Sequence, residues 1–329
     1  MNAPRVDSGL SRFTLGTWPM SGDGHYGEFD RDRAIRTIHA ALDAGVTSFD
    51  TAPGYGQGHA EALLGEALAG RRDRATIITK FGVLPGRGRN SSRASIEQEI
   101  DQSLARLRTD YVDYYVGHWP DRNTPLDETM AALEDLRRAG KIRQIGLANY
   151  TVDLVQSCEA VGAVDAVQVG YSLFDRRMET ELFPHCLDRG VSVMAYGPLV
   201  HGLLVDGIRE DTAYAPTDWR TQGFAIGQPI FAPANFPRNV RVVHRLRDEV
   251  ARPKGLTVSQ LALAWVLSHP AVTTVLIGAR TPAELHEDIA PPSVLTNEDR
   301  TAIADIMEGA AGRVDVFRPY NKGHEDWSR

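Results

Sequence analysis

The sequence has few cysteines and no feature of an exported or membrane protein. Its two cysteines, Cys158 and Cys186, form no Cys-x-x-Cys pair, so we expect reduced thiols that fill the core or the surface in a reducing compartment. No stretch approaches the roughly 18 apolar residues of a membrane span, and residues 1–9 lack the apolar segment of a signal peptide. These absences favour a cytoplasmic protein without a membrane partner.

The sequence also lacks an excess of positive charge. Its 36 lysines and arginines stand against 43 aspartates and glutamates, which gives a formal net charge of -7. This balance disfavours nucleic acid as the main partner but leaves room for a local basic site that binds a phosphate. With 329 residues, 42% of them hydrophobic, the chain can bury a large core without a disulfide or a structural metal.

What the chain does contain is a repeated alternation of strand-like and helix-like segments. Between Ser95 and Leu107, apolar residues recur every three or four positions, which is the spacing of a helix that buries one face. Eight alternating units predict a parallel sheet closed into an α/β fold, the (β/α)8 TIM barrel, as a single domain over residues 1–329. The predicted strands are Phe13–Gly16, Val46–Asp50, Ala75–Lys80, Tyr111–His118, Ile142–Ala148, Asp165–Tyr171, Val191–Tyr196 and Thr273–Ile277.

One long connection interrupts this alternation. Residues 200–237, after the seventh predicted strand, are rich in glycine and proline, and the next helix arrives late. Long loops in compact domains are usually functional, and this loop leaves the carboxyl end of a strand, where barrel enzymes place their active sites. We expect it to cover cofactor and substrate; a disordered insertion is the alternative.

Residues 22–27, Gly-Asp-Gly-His-Tyr-Gly, match the Gly-x-Gly-x-x-Gly pattern of dinucleotide-binding folds, but their surroundings do not. In those folds the glycines leave a strand directly and open a helix. Here Pro19 intervenes, the next helix begins only near Arg31, and Asp43 lies at a helix end instead of a strand end. We interpret the match as a mobile loop.

Four reactive residues lie at the ends of consecutive predicted strands. Asp50 ends the second strand, Tyr55 follows in its loop, Lys80 ends the third strand and His118 ends the fourth. Side chains at these ends of neighbouring barrel strands point into one mouth. Taken singly, each has an ordinary explanation as a loop cap, a surface residue or a core residue. Taken together they indicate a site, because unpaired charges are costly to bury.

These four side chains could reduce a carbonyl. A tyrosine hydroxyl has a pKa of about 10, and an adjacent lysine ammonium is expected to lower that pKa and to ease proton donation. Asp50 would pair with Lys80. His118 would polarise the carbonyl oxygen while Tyr55 protonates it and a hydride reaches the carbon. Run in reverse, the same site would oxidise an alcohol.

The segments around these residues resemble the aldo-keto reductase family. Residues 49–56, Phe-Asp-Thr-Ala-Pro-Gly-Tyr-Gly, and residues 59–68 resemble its opening signature, while residues 78–80 and 116–120 resemble its lysine and histidine motifs. The resemblance extends in order over residues 14–288 and implies a barrel that carries NADP(H) across its mouth and acts on a small carbonyl or sugar. The family's catalytic positions fall on Asp50, Tyr55, Lys80 and His118.

The resemblance also implies a set of cofactor contacts. Asn149 and Gln168 would hold the nicotinamide carboxamide, although Ala148 replaces a usual serine. Tyr196 would stack on the nicotinamide ring, with core packing as the alternative. The implied cofactor-binding positions are Gly16, Thr17, Trp18, Asp50, Asn149, Gln168, Tyr196, Gly197, Leu199, Gly202, Gly278, Ala279, Arg280, Glu284, Glu287 and Asp288.

The same resemblance addresses the choice of cofactor and the substrate pocket. Arg280, at the start of a predicted helix, favours NADP(H), because a guanidinium and a helix amino terminus both suit a 2′-phosphate. Glu284 and Asp288 stand where relatives often carry uncharged or basic residues, so NAD(H) is a second possibility. The implied substrate pocket is lined by Trp18, Tyr26, Tyr55, His118 and Trp119.

Three functions follow from these patterns. The leading one is a carbonyl reductase or sugar dehydrogenase, similar to the inositol- and aldose-acting bacterial members of the family. The alternative is a cofactor-sensing regulatory subunit with little turnover. A metal-dependent barrel lyase or isomerase is the third, but the sequence offers no convergent histidine and carboxylate ligands, so we expect no metal site. A monomer and a homo-oligomer are both compatible with the sequence.

Overall fold

The computed structural model of the protein describes residues 8–24, 29–84, 86, 88–216, 218–225, 227–289 and 294–316. Eight strands within these ranges form a barrel. They are β1 (Phe13–Gly16), β2 (Ser48–Asp50), β3 (Thr76–Phe81), β4 (Val112–Gly117), β5 (Ile142–Ala148), β6 (Ala166–Gly170), β7 (Ser192–Tyr196) and β8 (Val272–Ile277).

The barrel is closed because β1 pairs with both ends of the sheet. Gly16 of β1 is in register with Asp50 of β2, and Leu15 of β1 is in register with Ile277 of β8, and every pairing around the barrel is parallel. The predicted single-domain TIM barrel is therefore confirmed. The largest difference in a strand boundary is in β2, which begins at Ser48 instead of Val46.

Helices surround the barrel and connect successive strands. A two-stranded hairpin, Val83–Leu84 with Gly88–Arg89, follows β3, and α7 continues as a π-helix over Leu246–Ala251. In the described ranges no helix is long and apolar enough to cross a membrane. The helices are α1 (Arg31–Asp43), α2 (His59–Ala67), α3 (Arg93–Leu107), α4 (Leu126–Arg138), α5 (Val152–Glu159), α6 (Leu182–Arg189), α7 (Phe236–Arg245), α8 (Val258–Leu267), α9 (Pro282–Asp288) and α10 (Asn297–Met307).

The core has two layers because both faces of the strands are covered. All six residues of β4 are buried, as expected for a parallel strand with helices on one face and the barrel interior on the other. Helices contribute one apolar face each: in α4, Met130, Leu133 and Leu136 are buried at helical spacing. The inner layer, inside the barrel, is formed by Ile78, Tyr114, Val116, Ala148, Ala166, Met194 and Leu276.

The long connection between β7 and α7 is folded onto the barrel. It contains two 3-10 turns, Val200–Gly202 and Trp219–Gln222, and Arg220 joins them by donating from Nη1 to the His201 carbonyl at 2.9 Å. Trp219 and Phe231 anchor it with buried side chains. The described part of the predicted 200–237 loop is thus built from packed turns, and α7 begins just before its predicted end.

Ala311 and Gly312, which follow α10, support this connection. Asn239 of α7 is fully buried; its Nδ2 donates to the carbonyls of Ile230 at 2.9 Å and Ala311 at 3.1 Å, and its Oδ1 accepts from the Ala311 N–H at 2.8 Å. Gly312 has a φ of +76° and lies where a Cβ would be 2.6 Å from the Pro229 carbonyl oxygen, so only glycine fits there. The connection therefore packs together with Ala311 and Gly312.

The residues of the Gly-x-Gly-x-x-Gly match lie in an irregular segment. Gly22 and Gly24 follow the 3-10 turn Trp18–Met20, and both have positive φ. Helix α1 begins at Arg31, as predicted, with the Asp30 carboxylate accepting from the Arg33 N–H at 2.9 Å. Residues 25–28 lie outside the described ranges, so the interpretation of this match as a mobile loop stays a prediction.

Candidate active site

Three neighbouring strands bring the predicted catalytic residues to the carboxyl-terminal mouth of the barrel. Asp50 is the last residue of β2, Lys80 is the penultimate residue of β3, and His118 directly follows β4. The His118 N–H donates to the Phe81 carbonyl at 3.0 Å, which continues the pairing of β3 with β4. Tyr55 lies in the turn between β2 and α2. The parallel register thus places all four residues at one edge of the sheet.

The Lys80 ammonium is fully coordinated by protein acceptors. Its Nζ donates to Asp50 Oδ1 at 2.6 Å, to the Thr51 carbonyl at 2.9 Å and to the Tyr55 hydroxyl oxygen at 3.2 Å. An ammonium group has three protons and no lone pair with which to accept, so each of its protons is used in one of these three hydrogen bonds. The Tyr55 oxygen is therefore an acceptor toward Lys80, and the Tyr55 proton is left to point at another group.

The Asp50 carboxylate is held from two sides. Lys80 donates to Oδ1, and Gln168 Nε2 donates to Oδ2 at 2.8 Å. Asp50 is 3% exposed and Lys80 is 1% exposed, so this ion pair lies almost entirely out of water. A buried ion pair of this kind depends on good geometry and on additional hydrogen bonds, and both are present here.

Burial sets the direction of the pKa shifts in this group. It raises the pKa of Tyr55 well above its usual value of 10.0, and the negative charge of Asp50 adds to that rise. Burial also lowers the pKa of Lys80, against the opposing charge and hydrogen bond of Asp50. The pKa of Tyr55 is thus shifted upward, opposite to the direction expected from the sequence, because burial and the charge of Asp50 both act to raise it.

His118 is a neutral imidazole at physiological pH. Burial lowers its pKa well below 6.5, and the positive charges of Lys80 and Arg89 lower it further. Its ring meets the Tyr55 ring edge-on, with centroids 6.1 Å apart. A neutral imidazole beside the phenol can donate one hydrogen bond to a substrate oxygen without competing with Tyr55 as an acid.

Aromatic rings form the walls of the mouth next to Tyr55. The Trp18 indole stacks on the Tyr55 ring with centroids 6.0 Å apart and an interplanar angle of 19°. The Arg89 guanidinium lies over the Trp119 ring, 5.1 Å from its centroid. Trp18 is thus close to the predicted proton donor Tyr55, and Trp119 directly follows His118. Tyr26, the remaining predicted wall residue, lies outside the described residues.

Asn149 and Tyr196 are joined to each other. Asn149 has a φ of +65°, an unusual backbone conformation that asparagine tolerates. Its Oδ1 accepts from the Tyr196 hydroxyl at 2.7 Å, and its Nδ2 donates to the His118 carbonyl at 3.0 Å. The amide predicted to hold a carboxamide thus already ties the predicted stacking ring to the His118 loop.

The other predicted cofactor positions along the mouth fall into two groups. Gly16, Gly197 and Leu199 are partly exposed at the ends of β1 and β7. Thr17, in contrast, is fully buried, and its hydroxyl donates to the Asp50 carbonyl at 3.0 Å. Gly202 has a φ of +90° in the 3-10 turn after β7. Thr17 therefore contributes its hydroxyl to the fold, whereas the glycines leave their backbone open to a ligand.

In the loop after β8, Arg280 is already paired. Glu284 accepts from the Arg280 backbone N–H at 2.8 Å and from Nη2 at 2.8 Å. Gly278 is exposed, and a Cβ there would lie 2.8 Å from a Pro19 side-chain atom. Ala279 is buried, while the exposed Glu287 contributes its carbonyl to the fold through a bond from Gln260 Nε2 at 3.0 Å.

Asp288 is the buried member of this acidic group. Burial raises its pKa from 3.8 to about 7, and the negative charges of Glu287 and Glu284 contribute to that rise. At the predicted 2′-phosphate end, the Arg280 cation is thus paired with Glu284, and Asp288 is a second, buried acid nearby.

Two charged residues near the site escaped the sequence analysis. Glu61 of α2 is fully buried; it accepts from the Thr79 hydroxyl at 2.6 Å and from Arg106 Nε at 2.7 Å, and its charge raises the pKa of Lys80. The positive charge of Arg89, in the hairpin after β3, contributes to the lowered pKa of His118. Glu61 could have been found because it is a charged residue among the apolar residues of α2. The sequence around Arg89 gives no comparable signal.

Comparisons with known proteins agree with this geometry. Residues 12–308 match the model of the aldo/keto reductase family. The chain is 35% identical over 322 residues to the NADH-specific methylglyoxal reductase of Escherichia coli (strain K12), covering 92% of this chain and 96% of that protein.

Two solved structures are similar over almost the whole chain. The glycerol dehydrogenase AKR11B4 from Gluconobacter oxydans superposes with a TM-score of 0.84 at 34% identity, covering 94% of this chain and 95% of that one. An aldo-keto reductase from Klebsiella pneumoniae in complex with NADPH superposes with a TM-score of 0.72 at 28% identity, covering 94% of each chain.

Proposed function

Because this chain belongs to the aldo/keto reductase family, and so is an NAD(P)-dependent oxidoreductase that interconverts carbonyls and alcohols, we propose that Tyr55 is its proton donor. The observation that carries this proposal is the contact of 3.2 Å between Lys80 Nζ and the Tyr55 oxygen, within a group whose ammonium protons are all assigned. A bound nicotinamide supplies or accepts the hydride.

In the reducing direction, Tyr55 gives its proton to the oxygen of the reacting carbonyl. Its raised pKa keeps the hydroxyl protonated before reaction. The phenolate left behind would accept from Lys80 Nζ, which already lies within hydrogen-bond distance, and Asp50 holds that amine in place. In the oxidising direction, the same phenolate would remove the proton of an alcohol.

His118 would orient the substrate oxygen. Since its imidazole is neutral, it can donate a hydrogen bond to the carbonyl oxygen and polarise the C=O bond without transferring a proton. The Trp18 and Trp119 rings would enclose the rest of a small substrate. This division leaves proton transfer to Tyr55 and orientation to His118.

The mouth suits an extended nicotinamide cofactor at several points. The Tyr196 hydroxyl is fixed by Asn149 while the ring stays partly exposed, which leaves an aromatic surface for the nicotinamide. Gly197 and Gly202 have positive φ and expose backbone without a side chain, as close approach to a pyrophosphate requires. Residues of β7 and its following turn would therefore hold the centre of the cofactor.

We propose that the enzyme uses both NADP(H) and NAD(H) and that it prefers NADP(H). The competitor for a 2′-phosphate at Arg280 is Glu284, but their side chains are 55% and 36% exposed. An exposed ion pair contributes about 0–1 kcal/mol, whereas a phosphate forms charge-assisted bidentate bonds to arginine, so the phosphate should displace the carboxylate. The NADPH complex of the Klebsiella relative supports this choice, and the NADH-specific Escherichia relative supports NAD(H) as the second cofactor.

The substrate we propose is a small polar carbonyl compound or the corresponding alcohol, a class that includes short aldehydes, ketones and sugars. The names of two relatives, a methylglyoxal reductase and a glycerol dehydrogenase, fit this class. A packed connection after β7 that covers the substrate, and a cytoplasmic location, complete the proposal; the free thiols of Cys158 and Cys186 favour a reducing compartment.

Replacing Tyr55 tests this function directly. Tyr55→Phe should lower turnover by about 10²–10⁴-fold while cofactor affinity stays unchanged, because only the transferred proton is lost. Initial rates over a panel of aldehydes, sugars and inositols with NADPH and NADP, together with fluorescence titration of the cofactor, would measure both quantities. Tyr115→Phe removes another buried hydroxyl and serves as the control. Full turnover in Tyr55→Phe would show that another group is the acid.

A further inference from the structure

Gln168 is linked to the catalytic group from the opposite wall of the barrel. It lies on β6, four strands away from β2 in the closed order of eight, so its side chain meets Asp50 across the barrel interior. The bond from Nε2 to Asp50 Oδ2 is 2.8 Å long, and Gln168 is 4% exposed. One buried carboxylate therefore binds a cation through one oxygen and a neutral amide through the other.

The orientation of the Gln168 amide is fixed by the acceptors that its nitrogen contacts. Nε2 lies 3.8 Å from Met194 Sδ in addition to its bond with Asp50. An amide nitrogen has two protons, so both are directed at protein acceptors. The oxygen Oε1 is the group left for a ligand, which means that Gln168 can accept a hydrogen bond from a carboxamide but cannot donate one.

We propose that Gln168 is a positioning residue that acts through Asp50: its amide holds the carboxylate in the place that keeps Lys80 cationic beside Tyr55. This inference rests on the proposed function of Tyr55. A carboxylate that is removed from water needs hydrogen bonds on both oxygens, since an unsatisfied buried charge is costly. Without the amide, the Asp50 carboxylate would be free to rotate away from the ammonium.

The charges that face Lys80 make it sensitive to such a change. Burial favours the neutral amine, whereas Asp50 and Glu61 favour the ammonium. His118, at the end of β4, is neutral and Tyr55 is protonated, so neither supplies a compensating negative charge. The charge of Lys80 therefore depends on how well Asp50 is held, and Gln168 is what holds its second oxygen.

Gln168→Met tests the inference, because it keeps the length of the side chain and removes the donor. We expect the alkaline limb of the kcat profile to move to lower pH by about one unit, the size of one lost hydrogen bond to a charged group. Cofactor dissociation constants are measured in parallel. The matched control is Thr274→Val, which removes the buried hydroxyl that bonds to Thr14 at 2.8 Å inside the barrel and should leave the limb in place.

Several outcomes would overturn this role. If Gln168→Met weakens cofactor binding with an unmoved alkaline limb, Gln168 serves only as a cofactor contact. If both quantities stay at the wild-type value, it has no role in the reaction. Gln168→Leu is the second variant if the first folds poorly. Absence of Tyr55-dependent turnover in the wild-type enzyme would instead reject the proposed function itself, so the two failures are distinguishable.

Discussion

Two ion pairs at the barrel mouth have similar distances and very different surroundings. Lys80 and Asp50 are joined at 2.6 Å with side chains 1% and 4% exposed, and Arg280 and Glu284 are joined at 2.8 Å with side chains 55% and 36% exposed. Water screens the second pair and not the first. The comparison indicates that burial, more than distance, decides which ion pair stays intact and which can exchange its partner.

Removing the cation of the buried pair should have the largest effect. Lys80→Met leaves Asp50 as an uncompensated buried charge, so we expect the free energy of unfolding to fall by about 3–5 kcal/mol. Turnover should fall by about 10²–10⁴-fold, because the Tyr55 phenolate loses its partner. Urea denaturation and steady-state rates would measure the two losses.

Lys141→Met is the matched control for that variant. Lys141 pairs with Asp101 on the surface, with side chains 37% and 61% exposed, so its loss should change stability by less than about 1 kcal/mol. Equal destabilisation by the two lysine variants would show that burial does not separate these ion pairs.

A second test concerns the buried acid beside the exposed pair. Since the pKa of Asp288 is raised from 3.8 to about 7, the folded state holds this proton more tightly than the unfolded state. Its contribution to stability is therefore complete below about pH 4 and is lost as pH rises to about 7. Asp288→Asn should remove this loss and stabilise the protein at about pH 8 by up to about 4 kcal/mol, with a smaller gain at about pH 5.

Urea denaturation of wild type and Asp288→Asn at both pH values measures that difference. A gain that is equal at the two pH values would mean that the asparagine stabilises by packing alone. A loss of stability at the higher pH would mean that the ionised Asp288 is satisfied in the fold.

The smallest effect is expected at the exposed pair itself. Glu284→Gln should tighten NADPH binding a few-fold and leave NADH binding nearly unchanged, because an exposed pair contributes about 0–1 kcal/mol. Fluorescence titration of both cofactors measures the ratio. Glu249→Gln breaks a similar exposed pair with Arg245 on α7 and is the control. A large gain for NADPH would place Glu284 among the strong determinants of cofactor choice.

The sequence predicted the barrel and the meeting of four residues well, for one physical reason. Parallel strands end at one edge, so residues such as Asp50 and Lys80 that terminate successive strands must be neighbours. It gave the wrong direction for the pKa of Tyr55, because the tertiary fold sets both the burial of the phenol and its approach to Asp50. It did not foresee that Asn149 and Gln168 bind protein groups, since side-chain partners across a barrel leave no local pattern in sequence.

The contact of Asn239 with both Ile230 and Ala311 has a practical consequence. Since one side chain bonds the connection after β7 to Ala311, a substitution at Asn239 should loosen both segments at once without touching any catalytic group.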